Sequence, residues 1–138
     1  MEKITFNEKS PEIPKEVLQI ITLEVVNNAI EDRDFSINEI HYALRLCPSK
    51  NTQNGEVNGK PAEYVLQPDE NAIYIWDDLP EKIQQILLFH EVVEIYLRKS
   101  FELEETPAHN ATLSYEKQFK KNFVSKDEEN ILKQLRIE

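Results

Sequence analysis

The five residues His90-Glu91-Val92-Val93-Glu94 bring one imidazole and two carboxylates within little more than a helical turn. At about 100° per residue, His90 and Glu94 fall about 40° apart on a helix, so their side chains project side by side and can close on one ion. Glu91 lies about a quarter turn aside. A carboxylate there reaches a metal-bound water without binding the metal itself, which is where the general base of a metal-assisted hydrolysis must stand. The pattern is that of the zinc-hydrolase helix H-E-x-x-H with its second histidine replaced by glutamate. In a chain with 26 acidic residues the motif alone is weakly specific, and its surroundings have to carry the argument.

Those surroundings are apolar on nearly every face: Ile83, Ile86, Leu87, Leu88, Phe89, Val92, Val93, Ile95 and Leu97 predict a buried helix over about 79–99. His90 and Glu94 share a stripe with Ile83, Leu87 and Leu97, so two polar groups point where a core should be. A carboxylate in that position costs several kcal/mol unless it is paired, hydrogen-bonded or bound to a metal.

A catalytic zinc usually takes three protein ligands and a water, often two histidines and a carboxylate. Beyond His90 the chain has only His41 and His109. His109 falls in the expected first turn of the next helix, which must return alongside its predecessor after a short acidic link at 101–105. The positive end of that helix disfavours an imidazolium and leaves a neutral nitrogen to donate. The inferred ligands are therefore His90, Glu94 and His109, with Zn2+ as the metal and Glu91 as the catalytic base. Glu116, about 10.5 Å beyond His109 along the helix axis, cannot readily share an ion with it, but can support a ligand or replace one. His41 reads as a surface or core histidine outside the site. Tyr96 and Tyr115 are oxyanion stabilisers by residue type only; helix phase turns both away, and neither is assigned. A metal-free alternative has His90 and Glu94 hydrogen-bonded to each other or to His109, in a protein that works through contacts. Its acidic surface and the stripe Ile131, Leu132, Leu135 would then meet a protein partner, although such a stripe reads first as internal packing.

The elements that must position these groups predict an α+β chain organised as a single domain over 1–138. Pro11 and Pro14 precede a helix over about 14–31. Residues 35–47 alternate like a strand, while Ser36 with Glu39 imitates a capping box; the strand is favoured. Pro48 to Pro61 holds both glycines of the chain, Gly55 and Gly59, and reads as a mobile loop. Strand, turn and strand follow over 62–76 around Pro68-Asp69-Glu70-Asn71. Asp78 as cap with Pro80 in the first turn opens the site helix, Thr106-Pro107 opens the next to about Phe123, and Ser125 with Glu128 caps a final short helix. The expected order is one helix, a sheet of two or three strands, the buried site helix and two further helices.

Composition narrows the function classes. A formal net charge of −10 repels a polyphosphate backbone, so nucleic acid is set aside as a partner. Lys117, Lys120 and Lys121 read as a solvated helix face. Two glycines are too few for a nucleotide-cradling loop. The lone Cys47 reads as a structural or incidental thiol. No apolar run approaches the roughly 20 residues of a membrane span, Met1 to Asn7 lacks the pattern of a secretory signal, and a cytoplasmic location is expected.

HEVVE at 90–94, preceded by Asn71-Ala-Ile-Tyr-Ile-Trp76 and followed by Ala-His-Asn-Ala-Thr-Leu-Ser-Tyr-Glu at 108–116, resembles the small zincin-like metallopeptidases of the ImmA/IrrE kind. The likeness is nearest to an HExxE-bearing branch found in phage and bacterial genomes, and it covers roughly residues 14–123 in element order. It implies a zincin-like fold and a protein or peptide substrate. It also implies that residues 72–76 form the sheet edge along which an extended substrate lies. Glu94 stands where the main branch of that family has its second zinc-binding histidine.

Overall fold

The computed structural model describes residues 12–48, 60–121 and 125–137. Pro11, the segment at 1–7, most of the loop 48–61 and Phe123, all named above, lie outside the described residues. The architecture is α+β, with four helices and a four-stranded mixed sheet. In chain order the elements are α1 (Lys15–Val26), β1 (Arg33–Ile37), β2 (Ile40–Cys47), β3 (Ala62–Val65), β4 (Asn71–Trp76), α2 (Glu81–Ser100), α3 (Glu105–Lys120) and α4 (Lys126–Ile137).

The sheet has one strand more than the two or three expected, because residues 35–47 do not form one strand. They fold on themselves as β1 and β2, joined through Asn38 and Glu39 at φ 53° and 72°. Two consecutive positive φ values make the tight turn whose twist matches a right-twisted hairpin. The strand preference was correct and the Ser36/Glu39 capping box was not. Glu39 holds a left-handed conformation that costs a residue with a Cβ about 1–2 kcal/mol. Glu39→Gly should therefore raise unfolding stability by about 0.5–1 kcal/mol, measured by chemical denaturation; no change would mean that the turn carries no strain.

Strand order is β1-β2-β4-β3, with β2 and β4 parallel and the other pairs antiparallel. β4 thus lies inside the sheet, paired on both sides. This corrects the edge role given to residues 72–76: the edge nearest α2 on that side is β3. Period-two alternation buries Ile73 and Ile75 of β4 with Tyr42 and Leu44 of β2 on one face. The same face receives α2, all of whose residues from Ile83 to Leu97 are buried, as its all-round apolar pattern predicts. Ser36 and His41, 2.5 Å apart across the β1–β2 turn, belong to the opposite face and are exposed.

α1 ends at Val26, five residues short of expectation. Asn28 turns its side-chain amide onto the Glu24 carbonyl, and Arg33 closes on the same carbonyl and on the Glu24 carboxylate, so side chains take over where backbone pairing would continue. The helix starts also shift. Pro80 is the residue preceding α2 and Asp78 does not cap it, because a proline keeps the residue before it, Leu79, out of the helical region. α3 begins at Glu105, so Thr106 is not its cap and Pro107 sits inside the first turn, where a missing N–H leaves no bond unmade. Ser125 and Glu128 do form the reciprocal box, with bonds of 2.7 and 3.3 Å, and Leu132 buries against the core while Leu135 packs beside it. Among the described residues no helix is long and apolar enough to cross a membrane.

Candidate metal centre

α2 carries His90 and Glu94 on one stripe, and α3 returns along it after a four-residue link. Ala108, Ala111 and Thr112 are the small buried residues of α3, and small side chains permit a close approach of two helices. Phe119 stacks on Phe89 with ring centroids 4.2 Å apart and fixes the far end of the pair. His109, in the second turn of α3 rather than the first, is thereby held over the stripe.

The three inferred ligands converge. His90 Nε2 is 3.2 Å from Glu94 Oε1 and 3.3 Å from His109 Nδ1, and His109 Nδ1 is 3.3 Å from Glu94 Oε1. Among the described residues they are the group of three whose ligand atoms could hold a metal ion. Ligand atoms about 2.0–2.1 Å from a tetrahedral ion lie about 3.3 Å from one another, so the triangle has the size such an ion needs. The donor set, two imidazoles and a carboxylate, also suits zinc.

Hydrogen bonding alone accounts poorly for the triangle. Each imidazole nitrogen carries at most one proton and an ionised Oε1 carries none, so three contacts share at most two protons. If both nitrogens were protonated, two N–H groups would face each other. The bonds flanking the triangle are shorter, at 2.6 and 2.8 Å, lengths normal for a charge-assisted pair.

Those flanking bonds orient the ligands. Buried Glu116 lies 2.8 Å from His90 Nδ1, the supporting position foreseen for it, and leaves Nε2 for the triangle. Lys120 reaches Glu116 Oε2 at 3.4 Å and Glu129 of α4 at 3.1 Å, tying the C-terminal helix to the same chain of contacts. Tyr64 of β3 donates to Glu94 Oε2 at 2.6 Å, and Arg98, one turn beyond Glu94, donates to the Tyr64 oxygen at 3.1 Å. Sequence reasoning missed Tyr64 and Arg98. Arg98 had a visible signal, since 90, 94 and 98 continue one stripe; Tyr64 comes to the site only through the sheet.

Burial is the largest influence on His90 and works against its charged form. The hydrogen bonds to Glu116 and Glu94, with the nearby Glu91 charge, overcome it and push the imidazole up to about 9. For Glu94, burial pulls upward, but His90 and the Tyr64 hydroxyl together hold the carboxyl below its ordinary value. Burial, followed by the Glu94 bond, raises the Tyr64 phenol, so it remains a donor. The centre thus gathers the carboxylates of Glu94 and Glu116 around His90, and positive charge there is favoured.

Glu91, buried and outside the triangle, lines a cleft of about 630 Å³ together with His90, Glu94, His109, Tyr64 and Arg98. Tyr96 and Tyr115 lie elsewhere, as helix phase required: their hydroxyls accept from Asn38 Nδ2 and from the Ile13 amide. Replacing the acceptor on Nδ1 by an apolar group, Glu116→Leu, should weaken zinc binding by roughly 10- to 100-fold in a competitive chelator titration; an unchanged affinity would show that Glu116 serves packing alone. Compared with protein-family models, curated proteins and solved structures, the chain matches none.

Proposed function

We propose that the chain is a zinc-dependent metallopeptidase with a zincin-like fold, which hydrolyses a peptide bond in a protein or peptide substrate. The observation that carries the reading is the triangle of His90, Glu94 and His109 ligand atoms, 3.2–3.3 Å on a side, at the floor of an open cleft with Glu91 beside it. The resemblance of HEVVE and its flanks to ImmA/IrrE-like metallopeptidases agrees with it.

When bound, zinc polarises the scissile carbonyl and makes a water nucleophilic at neutral pH. Glu91 takes the proton of the attacking water and returns it to the departing amine. Glu116 and Tyr64 hold the ligands still while this happens. β3 provides the docking edge: the bond from the Trp76 amide to the Pro61 carbonyl sets the alternation, which turns the Tyr64 backbone groups away from β4 and toward an incoming extended chain.

A second reading is favoured by one feature, the raised His90 imidazole: a proton between the carboxylates also neutralises the centre without a metal, leaving a catalytically inactive interaction module. Metal analysis separates the two. Protein purified without added zinc should carry about one equivalent, and His90→Ala should abolish it. A wild-type protein that binds no zinc even when it is supplied, while remaining folded, would leave only the interaction module.

A further inference from the structure

Arg98 has more hydrogen-bonding capacity than its surroundings use. It lines the cleft one turn beyond Glu94, and among the described residues its five N–H donors make a single hydrogen bond, from Nη1 to Tyr64. Its Nε is buried and has no hydrogen-bond partner among the described residues. In a chain with 26 acidic residues, no described carboxylate lies within ion-pair distance of it, and Glu105 and Glu94 act on it only through space. Propping Tyr64 needs one donor, which a smaller residue supplies without drying an unpaired N–H. With Tyr64 on one Nη1 hydrogen, the second Nη1 hydrogen and both Nη2 hydrogens remain, and the two-nitrogen edge they form matches the two oxygens of a carboxylate.

We propose that Arg98 is a substrate-recognition residue that pairs with a carboxylate of the bound polypeptide, one helical turn from the ligand triangle. The inference rests on the metallopeptidase reading for its substrate class. A singly charged planar group fits better than a phosphate dianion, because Glu94 and Glu105 stand close by. The guanidinium carbon lies 5.9 Å from the centroid of the Tyr64 ring, so the two groups stand together where Arg98 lines the cleft. The carboxylate comes from an Asp or Glu side chain or from a chain terminus.

The test uses full-length, zinc-loaded Glu91→Gln protein and fluorescein-labelled octapeptide pools of one composition. In one arm Asp/Glu is exchanged for Asn/Gln, and in the other the free C-terminus for an amide. At least one carboxylate arm should bind about tenfold or more tighter than its neutral counterpart, as a desolvated charge pair does. The arm that does so names the source. Adding Arg98→Gln should bring the arms to within about twofold, whereas Arg98→Lys, which keeps the charge and loses the fork, should retain part of the difference. Equal binding of all pools, no binding of any, or a preference that survives Arg98→Gln would overturn the proposal; the last outcome would assign the carboxylate to the metal. Zinc content, measured on the same samples, reports separately on the metallopeptidase reading.

Discussion

Glu91→Gln should lower the proposed peptide hydrolysis by roughly 10²- to 10⁴-fold while about one equivalent of zinc stays bound. The amide has the shape of the carboxylate but accepts no proton at neutral pH, so the attacking water keeps its own. The ligands are left alone, because Glu91 is a neighbour of the His90, Glu94 and His109 triangle and not a member of it. Its burial within the cleft means that no bulk-water base stands in for it at close range. Turnover of a quenched-fluorescent peptide cut by wild type, read beside metal content, measures both halves of the expectation. Wild-type turnover with full zinc would remove Glu91 as the base; loss of zinc and turnover together would make it a structural residue.

The second large effect is a pH dependence that zinc cancels. In metal-free protein His90 is raised from an ordinary 6.5 to about 9, so its proton is held more tightly folded than unfolded. That contribution is fully present below about pH 6.5 and disappears as pH rises toward 9, a loss of about 3 kcal/mol by linkage. Glu94, whose carboxyl is lowered, contributes in the opposite sense and loses its stabilisation only as pH falls through the acid range. Zinc must displace the His90 proton, so its apparent affinity gains up to about tenfold per pH unit until His90 is neutral. The zinc-loaded protein therefore pulls away from the metal-free protein as pH climbs. Thermal unfolding from pH 6 to 9 with zinc and with chelator reads the widening gap; a constant gap would mean that His90 is not the group zinc displaces.

What was legible in the sequence follows from how far each contact travels along the chain. His90 and Glu94 are four residues apart on a helix whose apolar surround leaves no doubt about burial. His109 follows a link too short to carry its helix elsewhere. Glu116 was visible as a supporting group from its phase, since seven residues are nearly two turns. Tyr64 was not, because its contact with Glu94 spans 30 residues and depends on β3 pairing outside β4, an order that strand alternation does not encode. The same crossover hid the fact that 72–76 are interior. The starts of α2 and α3 moved by two residues because a proline is compatible with several positions around a first turn, and capping patterns do not choose among them. Residues 35–47 misled for a local reason: Asn38 and Glu39 form a turn usually built with glycine, and the chain places glycine only at Gly55 and Gly59.

Two corners of the triangle are sealed and the third is not. The His90 and Glu94 side chains are each 5% exposed and stand on one rigid helix, whereas the His109 side chain is 49% exposed. Such a cage has one movable corner. An ion held there would be let go most readily by the swing of that one surface imidazole, without any breathing of the interior. Its residence time is set at the start of α3, and a substitution that stiffens those few residues would slow exchange far more than it would deepen affinity.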